Sequence, residues 1–239
     1  MQEKTVSEAI AHRRSVRVFD SEQPIAKEVV KKCIENATMA PNSSNLQLWE
    51  FYHITDPEAL KQIATLCFNQ PAAKTATTLV IPVVRLDYWP KRAQANVEFI
   101  KSSAPDLNDK RIRGALSYYQ KTIPMLYRGS HQLIGWLHRL KVRWDGRKKV
   151  SYREVGSNDL RVVAHKSTAL AAQNFMMSMA AFGYDTCPME GFDSQQLKTF
   201  LDLPKAAEIS MVLGCGVRKK EGVYGKRFRV PFEEVYKEK

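Results

Sequence analysis

The stretch LRVVAHKSTALAAQNFMMSMAAFG, running from Leu160 to Gly183, constrains the fold more than any other part of the chain. It is built from strong helix formers, Asp159 can cap it, and Gly183 is a natural stop. Its small and apolar residues leave little polar surface, so such a helix belongs in a core or in a subunit interface. The rest of the chain, or a second chain, has to cover it.

The remaining segments alternate between strand-like and helical patterns. Thr5 with Glu8 makes a capping-box signature, and Val6, Ala9, Ile10 and Arg13 follow at helical spacing. SVRVF reads as a short extended piece, and Pro24 opens a second helix with Val29, Val30, Cys33, Ile34 and Ala37 on one face, ended by Pro41. LQLWEFYHI has strand composition and runs into Asp56-Pro57, an N-cap and first-turn pair for a helix carrying Ala59, Leu60 and Ile63. TTLVIPVV reads as a buried strand, SQQLKTFL as a short helix, and EISMVLGCGV as one strand ending in glycines. This alternation predicts a central sheet with helices on both faces.

The 239 residues suffice for one large domain spanning 1–239, and 44% hydrophobic residues is an ordinary globular proportion. The amino terminus carries no secretory pattern and no apolar run approaches the roughly 20 residues of a membrane span, so a soluble, cytoplasmic protein is expected. Cys33, Cys67, Cys187 and Cys215 lack paired spacing and read as reduced core thiols. His12, His53, His131, His138 and His165 show no metal-ligand spacing, and no metal is expected. The net charge is +12, and most of that excess lies between Arg85 and Arg161. The region from about 89 to 156 reads as a basic, mostly helical excursion from the sheet.

Candidate chemistry begins with Arg13, Arg14, Ser15 and Arg17. Arginine presents a planar fork that matches phosphate oxygens, and a neighbouring hydroxyl completes an anion site. The same stretch also reads as a solvated helix end whose cations complement the helix dipole. A second basic knot, Lys226, Arg227 and Arg229, lies near the other end of the chain, and a dianionic phosphate could be held from both. Pro41, Asn42, Ser43, Ser44 and Asn45 form a polar loop that can satisfy the edge of a heterocycle, or serve only as a turn. In PMEGFD, Gly191 lets the backbone approach a flat ligand. Asn69-Gln70 adds an amide pair.

RRSVRVF, APNSSNLQLWEF, AAQNFMMSMAAFGYDT leading into PMEGFD, and RFRVP occur in that order, and in them the chain resembles the FMN-dependent nitroreductase family. The resemblance covers about two-thirds of the sequence. It implies an α+β fold of α/β/α layers around a mixed, mainly antiparallel sheet, a tightly but non-covalently bound FMN, and NAD(P)H as electron donor. By resemblance, Arg13, Arg14 and Ser15 hold the FMN phosphate and ribityl chain together with Arg227 and Arg229. Arg17 lies near the pyrimidine side, where Asn69 and Lys74 join it. Pro188, Met189, Glu190 and Gly191 form the turn whose peptide groups face N5 and O4. Pro41 to Asn45 reach the flavin bound mainly to the partner subunit of a homodimer.

The reaction so implied is ping-pong: NAD(P)H reduces the flavin and leaves, and a nitroaromatic, quinone or similar small acceptor takes its place, with no side-chain nucleophile. SHQLIGWLHRLKVRW places Leu133, Ile134, Leu137, Leu140 and Trp144 at helical spacing among Arg139, Lys141 and Arg143. It reads as a lid over the cleft that attracts an anionic reactant, or as a membrane-surface helix. A specialised reaction on the same flavin, such as reductive dehalogenation or flavin breakdown, is an alternative. So is a nucleic-acid-binding protein, although no reading helix or aromatic platform is evident.

Overall fold

The computed structural model describes residues 3–128, 144, 147, 149–150, 152–154 and 156–239. His131, His138 and all of the amphipathic stretch before Trp144 lie outside them.

Thr5 caps α1 (Val6–His12) as its spacing predicts: Glu8 Oε2 accepts from Thr5 N at 2.8 Å while Thr5 Oγ1 accepts from Glu8 N at 3.4 Å. The arginines then leave the helix in extended conformation. SVRVF makes two isolated bridges, Ser15 to Thr186 and Phe19 to Arg218, because its peptides change partners along the way. Pro24 does not open α2 (Lys27–Thr38), which starts after Ala26, once Ile25 has entered the core.

β1 (Trp49–Ile54) leads to α3 (Pro57–Leu66), with Asp56 Oδ2 accepting from Ala59 N at 2.8 Å. A short α4 (Pro71–Lys74) precedes β2 (Thr78–Arg85), every residue of which is buried. The excursion follows with α5 (Trp89–Ser103), α6 (Lys110–Ser117), a π turn (Tyr118–Thr122) and α7 (Ile123–Arg128).

The long apolar stretch forms α8 (Ser157–Ala181), slightly offset from its expected start. Gly156 takes the cap position, and Asp159, inside the first turn, accepts from Gly156 N at 2.9 Å. Gly183, at φ +86°, stops the helix in the left-handed region. β3 (Asp185–Met189) was not expected from the sequence; Pro188 obscures it, and Pro is accommodated because, among the described residues, β3 is an edge strand with β5 as its one ladder partner. α9 (Ser194–Phe200), β4 (Ala207–Ile209), β5 (Val212–Gly216) and a short α10 (Phe232–Val235) complete the described elements.

EISMVLGCGV therefore makes two strands, not one. β4 and β5 lie along the same edge of β2, and the register from Val80↔Leu213 to Val83↔Ile209 inserts one extra residue, a bulge. It falls beside Pro82, which cannot donate to a ladder but whose carbonyl accepts from Ser210 N at 2.9 Å. The sheet order is β1-β2-β5-β3, every ladder is antiparallel, and Ser15 to Thr186 is a parallel bridge.

Alternate residues of the sheet feed two cores. Leu79, Ile81, Val83 and Val212 pack toward Ile63, Ala72 and Leu197 of α3, α4 and α9. Val80, Leu213 and Cys215 pack toward Val30 and Cys33 of α2 and Phe175 and Met179 of α8. These are the expected α/β/α layers. Phe175 is fully buried, and truncating such a side chain to Ala costs about 3–5 kcal/mol. A third cluster, with Leu46, Leu48, Ala93, Ile123 and Leu160, roots the excursion against the polar loop and α8.

All four cysteines are buried free thiols. Burial pushes Cys33 up to about 12 and Cys67 to about 11. Among the described residues no His/Cys/Asp/Glu group could hold a metal ion, and no helix is long and apolar enough to cross a membrane.

Candidate functional site

The parallel bridge from Ser15 to Thr186 lays the first basic motif against β3. Arg17 N then donates to Gly222 O at 2.6 Å, which brings the segment after β5 alongside. Gly222 permits that approach: a Cβ there would stand 2.3 Å from Val18 O. No sequence signal singled out this glycine. From it the tail runs back over the end of α1, and the two basic knots meet.

Their meeting place is a cleft of about 280 Å³ lined by Arg13, Arg14, Ser15, Arg17, Val223, Tyr224, Lys226, Arg227, Phe228 and Arg229. Among the described residues six cations line it, and no carboxylate. The Arg13 guanidinium is drawn below the usual arginine range, first by burial and then by the charges of Arg227, Arg229 and Arg14. A multivalent anion would relieve the mutual repulsion of like charges this close.

The arginines divide their work. Arg227 caps α1: its Nη1 donates to Ile10 O at 3.3 Å, and its Nη2 to Ala11 O at 2.9 Å and Arg13 O at 2.6 Å. Arg14 Nη2 donates to Gly225 O at 3.0 Å, and Arg229 Nη1 to Phe228 O at 2.6 Å. Among the described residues Arg13 and Arg17 make no side-chain hydrogen bond, so their donors are available to a ligand. Behind them, Arg218 pairs with buried Asp185 and donates to His12 O at 3.0 Å, fixing the end of α1 to β3.

The turn after β3 follows the strand against which the first basic motif lies. Met189 is buried in the core and offers only its backbone, while Glu190 and Gly191 are exposed. Gln70 straps this turn to the Asn69 segment, donating from Nε2 to Gly191 O at 2.6 Å and Cys67 O at 3.0 Å. Asn69 is exposed and left-handed at φ 54°, and its amide donates to Ala64 O at 2.9 Å. Lys74 ends α4 next to Thr75, whose Oγ1 accepts from Phe19 N at 3.0 Å.

The polar loop lies elsewhere in the chain. Pro41 is exposed, and Asn42 Oδ1 accepts from Gln47 N at 2.8 Å, closing the turn. Ser43 N donates to Ser167 Oγ on α8 at 3.2 Å. Ser44 and Asn45 are left-handed, at φ 55° and 49°, and are held by the excursion: Tyr119 OH donates to Ser44 O at 3.0 Å and Asn96 Nδ2 to Asn45 O at 3.1 Å. None of Pro41 to Asn45 lines the arginine cleft of its own chain.

A family model described as Nitroreductase family matches residues 10–217. Protein DrgA of Synechocystis is 30% identical over 223 residues, 92% of this chain and 87% of that protein. The crystal structure of ydfN from Bacillus subtilis superposes with a TM-score of 0.77 at 23% identity, covering 98% of both chains. A structure from Exiguobacterium sibiricum in complex with FMN gives 0.72 at 21% identity, covering 100% of this chain and 99% of that one.

Proposed function

Because the chain belongs to the nitroreductase family, a family of oxidoreductases, we propose that it is an FMN-dependent enzyme. It takes reducing equivalents from NAD(P)H and passes them in alternation to a nitroaromatic, quinone or similar small acceptor. One observation carries the reading: Arg13 and Arg229, from opposite ends of the chain, line a single cleft whose charged side chains, among the described residues, are all cations.

The residues present fit FMN. The cleft, lined by six cations and no acid among the described residues, suits its phosphate, and the exposed backbone at Glu190-Gly191 suits a flat ring. Bound FMN supplies hydride acceptance and donation. Arg13, Arg14 and Ser15 hold the phosphate, with Arg229 closing the cleft and Arg227 fixing Arg13 from behind. Arg17, with Asn69 and Lys74, stabilises negative charge on the reduced ring. The peptide groups of Glu190 and Gly191, with Pro188 and Met189 setting their position, orient the ring. Binding is tight and non-covalent.

The loop from Pro41 to Asn45 serves the site of a second copy, making the enzyme a homodimer. Support comes from the absence of the loop's residues from the lining of its own arginine cleft and from exposed apolar groups on α8 and the tail, Leu170, Phe228 and Phe232 among them. The chain acts as one domain, its excursion at 89–156 covering the site as a lid; Asn96 and Tyr119 already reach the loop. The free thiols suit the reducing cytoplasm.

The test is direct. Purified protein is expected to be yellow, to bleach anaerobically with NADH or NADPH, and to regain colour with a quinone or nitroarene. Colourless protein that takes up no FMN would overturn the reading.

A further inference from the structure

Ten of the chain's twelve net charges fall between Arg85 and Arg161, where 17 Lys and Arg stand against 7 Asp and Glu. None of these cations lines the arginine cleft. Arg139, Lys141 and Arg143 lie outside the described residues; a further share of the excess is displayed on α5 and α6. Lys101, near the end of α5, and Lys110, Arg111 and Arg113 of α6 are all exposed. Among the described residues none of these four side chains makes an ion pair or a hydrogen bond. Exposed lysines on other helices do find acids: Lys32 pairs with Glu35 on α2, and Lys61 with Glu58 on α3.

Helix stability does not account for the arrangement. Lys110 and Arg111 occupy the first turn of α6, whose partial positive charge disfavours cations, and no acid shares that turn. The nearby carboxylates are spent on local hydrogen bonds. Asp109 Oδ1 accepts from Arg111 N at 2.7 Å as the helix cap, Asp106 Oδ1 accepts from Asn108 N at 2.8 Å, and Glu98 Oε1 accepts from Gln94 Nε2 at 3.0 Å. Packing does not account for it either, because no residue of α6 is buried. Two large apolar side chains stand in water among the cations, Phe99 at 70% exposure and Leu107 at 47%.

We propose that the α5–α6 corner is a docking surface for an anionic lipid bilayer, with Lys101, Lys110, Arg111 and Arg113 meeting headgroup phosphates and Phe99 and Leu107 entering the boundary between headgroups and acyl chains. A bilayer offers both things this corner lacks, negative charge and an apolar interior. A polyanion in solution, such as RNA, answers the charge alone and leaves Leu107 in water. Each Lys or Arg at an anionic surface strengthens binding about fivefold, so four supply about 600-fold. That suffices for reversible association without a permanent anchor. The corner is separate from the arginine cleft, and the proposal stands whether or not the chain binds a flavin.

The test is co-sedimentation of the purified full-length protein, at about 0.1 M salt, with vesicles of phosphatidylcholine alone and of phosphatidylcholine containing a quarter of phosphatidylglycerol. The protein should pellet with the anionic vesicles and stay in solution with the zwitterionic ones. The triple variant Lys110→Gln/Arg111→Gln/Arg113→Gln should bind about a hundredfold more weakly, yet melt no lower than wild type, since it removes cations from a helix N-terminus. Leu107→Ser should cost about fivefold through lost apolar burial. Lys31→Gln/Lys61→Gln/Lys205→Gln, the same charge change at exposed positions outside the excursion, should stay within about twofold of wild type. Failure to bind the anionic vesicles, or equal losses in the two triple variants, would overturn the proposal. So would tighter binding to a single-stranded RNA oligonucleotide with vesicle affinity untouched by Leu107→Ser, which would give the surface to nucleic acid.

Discussion

Arg227 donates from Nη2 to the carbonyl oxygen of Arg13 at 2.6 Å, joining residues 214 positions apart. A cation from the tail thereby caps α1 and fixes the backbone from which Arg13 points into the cleft. One arginine holds the frame, and the other is left for the ligand.

Removing the ligand arginine should cost cofactor affinity in a phosphate-dependent way. Arg13→Gln is expected to weaken FMN binding about 10- to 100-fold, the worth of a charge-assisted pair, and to leave riboflavin binding unchanged. Fluorescence titration with both flavins reads the difference; equal losses for the two would mean that Arg13 does not meet the phosphate.

Removing the frame arginine should cost stability as well. Arg227→Ala leaves the last carbonyls of α1 without their cation and is expected to lower the unfolding free energy by about 1–2 kcal/mol. Arg227→Lys recovers only part, because an ammonium lacks the planar fork that spans three carbonyls. Urea denaturation of the two variants checks the order.

The excursion is anchored at its start by a mostly buried ion cluster. Arg85 pairs with Glu50 and with Asp87, and Tyr88 OH donates to Glu50 Oε1 at 2.6 Å. The hydrogen bond to Arg85 holds the Asp87 carboxyl below its usual range. Among the described residues, Glu50→Ala leaves Arg85 with Asp87 as its ion-pair partner and the Tyr88 hydroxyl without an acceptor, and is expected to destabilise by about 2–3 kcal/mol. A shift in the urea midpoint at constant slope is the readout.

Two histidines make the fold acid-sensitive. His12 is lowered from the usual imidazole range by burial and by Arg218, and His53 by burial and Lys27. Both stay neutral in the folded protein at pH values where the unfolded chain binds a proton. Stability is therefore full above the ordinary histidine range, near pH 6.5, and falls as pH drops below it toward the lowered folded values. The melting temperature should decline from pH 7 to pH 5, and His53→Gln should flatten that decline; a slope identical to wild type would remove His53 from the account. Among the described residues His53 Nε2 has no hydrogen-bond partner, so protonation there gains no acceptor from them.

What was legible in the sequence was local. Thr5 and Glu8, Asp56-Pro57, Gly183 and the unbroken apolar run of β2 each carry a signal set by backbone sterics, capping or burial within a few residues. The two basic knots were visible as charge. β3 was not, because Pro188 hides an edge strand, and the bulge beside Pro82 was not, because it depends on which strands become neighbours. Gly222 and the hydrogen-bonded Tyr118–Ser44 couple were silent for the same reason, and Gln70 showed only as half of an amide pair, not as the strap to Gly191: a glycine, a phenol and an amide are ordinary residues until a distant segment arrives beside them.

Composition and periodicity by themselves determined the layers of this protein, since apolar faces at helical and strand spacing must find cover. Only the tertiary structure decided that Arg227 would cap the frame while Arg13 stayed free, and that the polar loop would sit with the excursion and not with its own arginines. Those outcomes rest on bulges, crossings and the path of the tail, where energy depends on contacts between residues far apart in the chain, and no short stretch encodes them alone.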